Sequence, residues 1–251
     1  MRKLMRIEED VWLSDIIRKK VFKLTFDSLS SSTKRNWQTT IAQHESEHSH
    51  AMYYTKISTE QVSLLYQLSK LGFYPVDVNV TFELECDRVT NLSPLKTKYT
   101  IKEIASGEEQ QVVNIARTCF RYSRFHLDPA VNNEIADRIK SEWVFNYIRK
   151  QRGDRLFVAS MEEKTVGFLA AIVSEKQGKK IGIIDLIGID RQYQRQGIGQ
   201  ELSKFFRVYY QEDCNRLRVG TQVANIASQR LYQKVGFSLS QSQYVLHKHL
   251  N

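Results

Sequence analysis

The residues with the clearest chemical pattern form a glycine-containing turn between a strand and a helix. The predicted strand Gly182–Ile189 leads into the Q-x-x-G-x-G stretch from Gln194 to Gly199, and an amphipathic helix opens directly after it. At such a junction, free backbone N–H groups and the positive end of the helix dipole point at one spot. Gly197 and Gly199 let the main chain approach a ligand closely. The pattern therefore predicts a site for a pyrophosphate group.

Two common phosphate-binding motifs do not fit this turn. A dinucleotide site needs a third glycine three residues after Gly199, and the sequence has Leu202 there. A Walker loop needs Gly-Lys followed by Ser or Thr, which the turn also lacks. Both classes of nucleotide-binding protein are therefore disfavoured.

A second stretch, N-I-A-S-Q-R-L-Y-Q-K-V-G-F at 225–237, follows the next predicted strand. Together the two stretches resemble the GCN5-related N-acetyltransferase (GNAT) superfamily, whose motifs are Q/R-x-x-G-x-G/A and N-x-x-A-x-x-x-Y-x-K-x-G-F. One departure is Ser228, where the family usually has Ala; both residues are small. The resemblance covers about residues 99–251.

The resemblance implies direct transfer of an acetyl group from acetyl-CoA, as co-substrate, to an amine, with no metal. A bulge in the family's fourth strand, here expected near Ile187–Gly188, exposes backbone N–H groups to the acetyl carbonyl. Tyr232 matches the tyrosine that protonates the departing sulfur, and a phenol is protonated at neutral pH. The residues expected to bind acetyl-CoA are Ile187, Gly188, Ile189, Gln194, Arg195, Gln196, Gly197, Ile198, Gly199, Gln200 and Asn225.

A closer resemblance extends to the stretch Y-S-R-F-H-L-D-P at 122–129 and to Ser-Glu-Trp at 141–143. Both are similar to the TDP-fucosamine N-acetyltransferase group, which acetylates the 4-amino group of a nucleotide-linked deoxysugar. This implies an α/β (α+β) GNAT fold with a mixed central sheet, preceded by a smaller truncated GNAT-like α/β domain. The expected division is a half-domain over 1–90, a linker over 91–98 and a complete GNAT domain over 99–251.

The acceptor side carries the less specific signals. Asp77 lies where the closer family has a carboxylate proposed to face the amine, and we take it as the candidate base. His126 and Asp128 are its rivals. Arg121 and Arg124, with His126, are candidates for binding the acceptor, because forked guanidinium donors suit phosphate.

Charge and cysteine content limit the other function classes. Residues 1–95 carry 12 basic and 12 acidic side chains, and residues 96–251 carry 25 and 16, so the net charge of +9 lies in the C-terminal part. This excess fits anionic small ligands. Without a dense Lys/Arg run, it argues against binding to nucleic acid or to membrane surfaces.

We expect no membrane insertion and no signal peptide. Three widely spaced cysteines predict no disulfide framework and a cytoplasmic location. A homodimer is left open.

The elements that must position these residues follow from hydrophobic periodicity. Residues 52–57 predict a strand, the next stretch a helix capped by Ser58 or Thr59 and ended by Gly72, and 76–82 an alternating strand, so 52–84 predict a parallel β-α-β unit. A further strand is predicted over 21–26, and the polar stretch 28–50 stays unassigned. From residue 99 onwards the predicted order is β-α-α-β-β-β-α-β-α-β.

Other patterns have competing explanations. His44-Glu-Ser-Glu-His48 is a literal H-E-x-x-H, but its surroundings lack the apolar helical stripe that a zinc hydrolase site requires. His247 and His249 share one strand face and are interpreted as packed residues. Cys119 and Cys214 are interpreted as buried inert thiols rather than acyl-enzyme nucleophiles. The alternatives that stay open are a GNAT enzyme for another small amine or a peptide N-terminus, and a non-catalytic acyl-CoA-binding sensor.

Overall fold

The computed structural model describes residues 5–26, 37–86 and 98–250, in which helices and strands are mixed along the chain. The strands are β1 (Met5–Glu9), β2 (Lys20–Phe26), β3 (Ala51–Ser58), β4 (Tyr74–Glu85), β5 (Thr100–Glu103), β6 (Arg155–Met161), β7 (Lys164–Lys176), β8 (Lys179–Ile189), β9 (Arg216–Gln222) and β10 (Ser238–His249). The helices are α1 (Val11–Ile17), α2 (Trp37–Glu47), α3 (Val62–Lys70), α4 (Glu109–Cys119), α5 (Asn133–Ile148), α6 (Ile198–Tyr210) and α7 (Ile226–Lys234). A 3₁₀ turn at Arg191–Tyr193 precedes α6.

The chain divides into two compact units that interleave in sequence. Unit 1 draws on Met1–Asn79, Ser123–Ala136 and Ser242–Asn251, and unit 2 on Val80–Tyr122 and Asp137–Gln241. Strands β4 and β10 therefore contribute residues to both units. The sequence-based division instead places one boundary near residues 91–98, of which 91–97 lie outside the described residues.

Unit 1 contains a mixed sheet in the order β1-β2-β3-β10-β4. β2 runs parallel to β3, with Phe22 opposite Tyr53, and β10 runs antiparallel to β3, with His247 opposite Tyr54. The predicted direct parallel pairing of β3 with β4 is therefore wrong, because β10 lies between them. The core of this unit includes Ile41 of α2, which is fully buried.

Unit 2 contains a second mixed arrangement, in the order β4-β9-β8-β7-β6-β5. β8 runs parallel to β9 over Ile181–Ile184 and antiparallel to β7, and β5 and β6 continue the antiparallel pairing. Val80 and Phe82 of β4 are buried in its core. A segment before the predicted linker thus supplies a strand to this unit.

Two hydrophobic clusters cover the faces of the unit 2 sheet, because consecutive strand residues point to opposite sides. The α6 cluster contains Leu202 of α6 and Leu169 of β7. The α4/α5 cluster contains Val112 of α4, Val144 of α5 and Phe168 of β7. Neighbouring residues of one strand therefore belong to different clusters.

The predicted strands and helices from residue 99 onwards are confirmed, as are β2, β3, α3 and β4. The predicted cap of α3 is wrong: the N-cap residue is Gln61, whose side chain makes no capping bond, and Ser58 and Thr59 lie before it. Gly72 does follow the helix, with a φ of 86°. The polar stretch left unassigned contains α2, and β1 and α1 were not predicted.

In the parts of the chain that the structure describes, the helices are too short or too polar to cross a membrane.

Candidate active site

From Asp185 onwards, the pairing of β8 with its two neighbouring strands is irregular. Against β7, Ala171 pairs with Ile184 and Ala170 with Leu186, so Asp185 is the extra residue of a β-bulge. Against β9, the register ends at Ile184, which is opposite Val219. The predicted bulge near Ile187–Gly188 therefore exists but lies two residues earlier.

The Q-x-x-G-x-G turn follows this strand; residues 194–197 are exposed, and Ile198 is buried. The Gln194 side-chain amide donates to the Ile189 carbonyl at 3.2 Å, and the Tyr99 hydroxyl donates to the Gln196 carbonyl at 3.0 Å. Arg195 and Gly197 have positive φ values of 62° and 85°. These bonds and the left-handed backbone conformation turn the chain sharply into α6.

The first turn of α6 begins without a side-chain cap, because the N-cap residue is Gly197. The Glu201 N–H bonds to the Gly197 carbonyl at 3.0 Å, and the amides of Ile198, Gly199 and Gln200 precede that first intrahelical bond. A Cβ atom on Gly199 would lie 2.8 Å from the end of the Leu231 side chain of α7, so α6 and α7 pack closely at this position. The geometry fits an anionic group, such as a phosphate, at the helix start.

Two residues of the second motif occupy α7. Asn225 is the N-cap of α7, and its side-chain oxygen accepts a bond from the Ser228 N–H at 3.2 Å. Tyr232 is buried, with its ring 6.0 Å from that of Phe82 and 6.3 Å from that of Phe237. Burial raises the pKa of Tyr232, outweighing a hydrogen bond with Ser228, so its hydroxyl holds its proton at neutral pH. This is the protonation state that a proton donor requires.

Asp77 of β4 is a buried carboxylate in unit 1 with one unsatisfied oxygen. Its exposed fraction is 9%, and its Oδ1 atom makes no hydrogen bond within the described residues. Burial raises the pKa of Asp77 to about 6, against the opposing effects of the Val78 N–H and of the Lys56 charge. Asp77 therefore titrates near neutral pH.

A second buried carboxylate in unit 1, Asp128, differs from Asp77 because both of its oxygens accept hydrogen bonds. Its Oδ2 atom lies 2.6 Å from His247 Nδ1 and 2.8 Å from His249 Nε2. Its Oδ1 atom accepts bonds from the Tyr74 hydroxyl at 2.7 Å and from the Ala130 N–H at 3.0 Å. Burial alone would raise the pKa of Asp128, but these four donors outweigh it and hold the pKa well below its usual range. Asp128 therefore stays ionised and is occupied by protein donors.

The tautomer of His247 follows from its two partners. Its Nε2 atom lies 3.3 Å from a guanidinium nitrogen of Arg124, which can only donate. Nδ1 must then carry the proton that bonds to Asp128. Burial, reinforced by the Arg124 charge, lowers the pKa of His247 to about 4 against the effect of Asp128, so the ring is neutral.

Asp128, His247 and His249 also have the donor set of a metal site, with ligand atoms within 4.8 Å of one another. A metal-bound imidazole normally donates its other N–H to an acceptor. His247 instead faces a donor at its far nitrogen, so this arrangement fits a hydrogen-bond network better than a cation. The sequence signal for the network was the His247–His249 spacing of two, which placed both rings on one strand face.

The predicted acceptor-binding residues are distributed over both units. Arg121 is exposed and belongs to unit 2. The Arg124 guanidinium in unit 1 stacks 3.9 Å above the Tyr54 ring and 4.4 Å above the Phe125 ring. The His126 ring bonds to the Ser123 hydroxyl at 2.6 Å. The structure therefore leaves the guanidinium of Arg121 more accessible than that of Arg124.

The H-E-x-x-H stretch lies at the end of α2, which does bury an apolar side of Trp37 and Ile41, contrary to prediction. The rings of His44 and His48 stack 4.3 Å apart. His44 Nδ1 lies 2.8 Å from the Tyr53 hydroxyl and His48 Nδ1 lies 2.9 Å from the His44 carbonyl. These nitrogens bond within the protein, which favours a structural role.

The cysteines are free thiols. Burial raises the pKa of Cys119 to about 12 and also raises that of Cys214. A thiol that stays protonated is a poor nucleophile. Both thiols fit the predicted inert role.

The family model for the acetyltransferase (GNAT) family matches residues 110–237, which include the bulged strand, the glycine turn and α7. This chain belongs to the GNAT acetyltransferase family. The GNAT α/β fold with a mixed sheet, predicted from the two motifs, is confirmed.

Two curated relatives and one solved structure illustrate the range of similar proteins. A Bacillus subtilis spore coat polysaccharide biosynthesis protein, SpsD, is 26% identical over 144 residues, covering 56% of this chain and 47% of the relative. The N-acetylaspartate synthetase of Xenopus tropicalis is 28% identical over 115 residues, covering 45% and 39%. This GNAT chain thus spans about half or less of these relatives.

A GCN5-related N-acetyltransferase from Sphaerobacter thermophilus has a similar structure, with a TM-score of 0.66. The sequences are 14% identical, and the likeness covers 98% of this chain and 76% of the other. At this identity the likeness shows the GNAT fold over nearly the whole chain.

Proposed function

We propose that this GNAT enzyme transfers the acetyl group of acetyl-CoA to the amine of a nucleotide-linked amino sugar. The observation that carries the amine chemistry is Asp77, a buried carboxylate with an unpartnered oxygen and a pKa raised to about 6. Such a group accepts a proton near neutral pH. The sugar rests on the similarity of residues 122–129 and 141–143 to the TDP-fucosamine group, and on a relative named for polysaccharide biosynthesis.

The residues of the glycine turn and the first turn of α6 are proposed to hold the pyrophosphate of acetyl-CoA. The start of α6 offers backbone amides without a side-chain cap, and Arg195 is exposed beside them. Ile187, Gly188 and Ile189 follow the bulge, where pairing with β9 has ended. The co-substrate supplies an activated thioester, and we propose that backbone amides of this segment polarise its carbonyl.

The proposed transfer is a direct one. The neutral amine attacks the acetyl carbonyl carbon, an N–C bond forms, and the C–S bond breaks. The proton lost by the amine goes to Asp77, and the departing sulfur takes a proton from Tyr232. The thiols of Cys119 and Cys214 take no part in this scheme, because the amine itself is the nucleophile.

Arg121, Arg124 and His126 are the proposed contacts to the acceptor. Arg121 is the first choice for the diphosphate because its side chain is exposed. Arg124 already stacks on Tyr54 and bonds to His247, which leaves fewer of its five N–H groups for a ligand. We also propose that residues 1–90 form the truncated GNAT-like half-domain that the resemblance predicts, with Asp77 as part of it.

The name of the N-acetylaspartate synthetase favours a second candidate acceptor, a small amine without a nucleotide. The deciding experiment measures thiol release from acetyl-CoA with TDP-linked 4-amino-4,6-dideoxyhexoses, simple amines and a peptide N-terminus as parallel acceptors. Release that is fast only with the nucleotide sugars supports the proposal. Release with simple amines or the peptide alone overturns the sugar assignment and keeps the acetyltransferase.

Tyr232→Phe tests the proton donor in the same assay. We expect kcat to fall by about 10- to 100-fold, since general acid catalysis contributes about 10²- to 10⁴-fold and water partly replaces the phenol. The dissociation constant of coenzyme A should not change. An unchanged kcat would remove Tyr232 as the acid.

A further inference from the structure

Asp185 is the one residue of β8 that the bulge inserts, and it reverses the alternation of the strand. Ile184 packs in the α6 cluster, whereas Leu186 packs in the α4/α5 cluster. Beyond the bulge, Ile187 packs again against the α6 cluster, and a Cβ on Gly188 would meet Phe168 on the α4/α5 side. A single inserted residue therefore decides which face each later residue presents.

The Asp185 carboxylate is held by donors from α5 and from the loop that follows it. Oδ2 accepts bonds from Trp143 Nε1 at 2.8 Å, from the Tyr147 hydroxyl at 2.7 Å and from Arg152 Nε at 2.7 Å. Oδ1 accepts a further bond from Arg152 Nη2 at 3.0 Å. Trp143 and Tyr147 are four residues apart and so lie on one face of α5.

The loop after α5 places Arg152 beside Asp185. Gly153 has a φ of 72°, and a Cβ there would lie 2.0 Å from the Tyr147 ring, so only glycine lets the chain pass so close. The Arg152 guanidinium lies 5.0 Å from the Trp143 ring. The donors thus pack on one another as well as on Asp185.

Asp185 and its three donors Trp143, Tyr147 and Arg152, called the Asp185 clamp below, lie at the bulge, where the pairing of β8 with β9 ends. Pairing of β8 with β9 ends at Ile184, immediately before Asp185. The segment 187–189, whose backbone amides would face the acetyl carbonyl, begins two residues after Asp185. Bulges next to active sites commonly end a ladder and redirect the chain.

We propose that Asp185, clamped by Trp143, Tyr147 and Arg152, is a positioning residue that fixes the β8 bulge and so aims the backbone amides of 187–189 at the acetyl carbonyl. The inference rests on the proposed function, because it needs acetyl-CoA to lie along β8. Asp185 touches neither substrate in this scheme and acts through the main chain. Burial alone would raise the pKa of Asp185, but the hydrogen bonds and charge of Arg152 outweigh burial and lower the pKa, so the carboxylate stays ionised.

The test follows the carbonyl stretching band of [1-¹³C]acetyl-CoA bound to the full chain without acceptor, together with kcat and the dissociation constant of coenzyme A. In the wild type we expect the band at lower frequency than in solution. In Asp185→Asn this shift should shrink and kcat should fall by about 10- to 100-fold, as expected for a carbonyl displaced by about 1 Å. Coenzyme A binding should change by less than about twofold, because the pyrophosphate turn is untouched.

Tyr147→Phe removes one donor and keeps its ring, and Trp143→Phe removes the indole N–H together with part of the ring. Both variants report the same readouts if Asp185→Asn does not fold. The matched control is Glu83→Gln, which makes the same carboxylate-to-amide change in an ion pair of unit 2, with Arg218 Nε at 2.7 Å and Arg216 at 3.1 Å. It should lower the melting temperature without moving the carbonyl band.

The inference would be overturned if Asp185→Asn, Tyr147→Phe and Trp143→Phe all kept the wild-type shift of the carbonyl band and the wild-type kcat. Asp185 would then contribute only to stability. A wild-type protein that does not bind acetyl-CoA would overturn the proposed function itself. The two failures are therefore distinguishable.

Discussion

The surroundings of Asp77 and of Asp128 show how one fold gives two buried carboxylates opposite properties. Both lie in unit 1, with 9% and 2% of their surface exposed. Asp128 receives four hydrogen bonds, and its pKa is lowered. Asp77 keeps an unpartnered oxygen, and burial raises its pKa to about 6. Burial alone therefore does not decide the protonation state of a carboxylate; the number of donors that face it does.

The difference assigns the two residues to different tasks. A carboxylate that four protein donors already occupy is a poor proton acceptor, because protonation would break those bonds. A carboxylate with a free oxygen and a pKa near neutrality is suited to general base catalysis. We therefore propose proton transfer for Asp77 and a structural role for Asp128, which holds the segment 123–136 to β10.

The largest expected effect is on catalysis by Asp77→Asn. We expect kcat to fall by about 10²- to 10⁴-fold, the range typical of general base catalysis, with an unchanged KM for acetyl-CoA. Stability at pH 7 should stay the same or rise. The reason is that a folded-state pKa above the unfolded value makes the ionised carboxylate destabilising once the pH exceeds about 4. Steady-state kinetics and thermal melting at pH 7 check both parts; a variant with full activity would remove Asp77 as the base.

Asp128→Asn should show the reverse pattern. The amide loses the charge that four donors share and points an NH₂ group at some of them, so we expect the free energy of unfolding to drop by about 3 kcal/mol. The pKa of Asp128 is lowered in the folded state, so this contribution is present above the unfolded-state pKa and lost at strongly acidic pH. Urea unfolding at pH 7 measures it. Equal stability of Asp128→Asn and the wild type would contradict the role assigned to the network.

His249→Phe isolates one of the four donors. Removing the bond from His249 Nε2 to Asp128 should cost about 1.5 kcal/mol, because the acceptor is charged. His249→Gln can place an amide N–H near the same position and serves as the matched control, with a smaller loss. If both variants lost the same stability, packing of the ring rather than the hydrogen bond would be responsible.

The smallest expected effect is on the pH profile of Lys56→Met. The charge of Lys56 lowers the pKa of Asp77, so its removal should move the acid limb of kcat/KM to higher pH, on the order of half a unit. Lys23→Met removes a cation from the neighbouring strand β2 and provides the comparison. An acid limb that does not move in Lys56→Met would show that Lys56 and Asp77 do not interact in solution.

The features that the sequence predicted correctly are mostly local ones. The turn from Gln194 to Gly199 and the start of the following helix can be predicted from about ten residues, because backbone geometry at a helix start depends on nearby residues. The bulge lies two residues before the position that the family resemblance implies. The donors that hold Asp185 come from α5 and the loop after it, more than 30 residues earlier in the chain, so no local pattern marks the bulge. Helix α2 was missed because only Trp37 and Ile41 mark its buried side.

The Asp128 network could not be predicted, because its members come from three distant segments. Contacts among Tyr74, Asp128 and His247 follow only from two long-range features of the fold. These are the pairing of β10 with β3 and the inclusion of the segment 123–136 in unit 1. The spacing of His247 and His249 showed that the two rings share a face, but not what that face contacts. Long-range pairing of this kind leaves no periodic pattern in one sequence.

The most direct test of the contrast between the two carboxylates is a ¹³C NMR titration of protein labelled at the aspartate side-chain carboxyl carbons. The Asp77→Asn and Asp128→Asn variants assign the two resonances. We predict a midpoint near pH 6 for Asp77 and no titration of Asp128 between pH 4 and 8. A midpoint near 4 for Asp77, or an Asp128 resonance that titrates in this range, would contradict the assignment of proton transfer to Asp77.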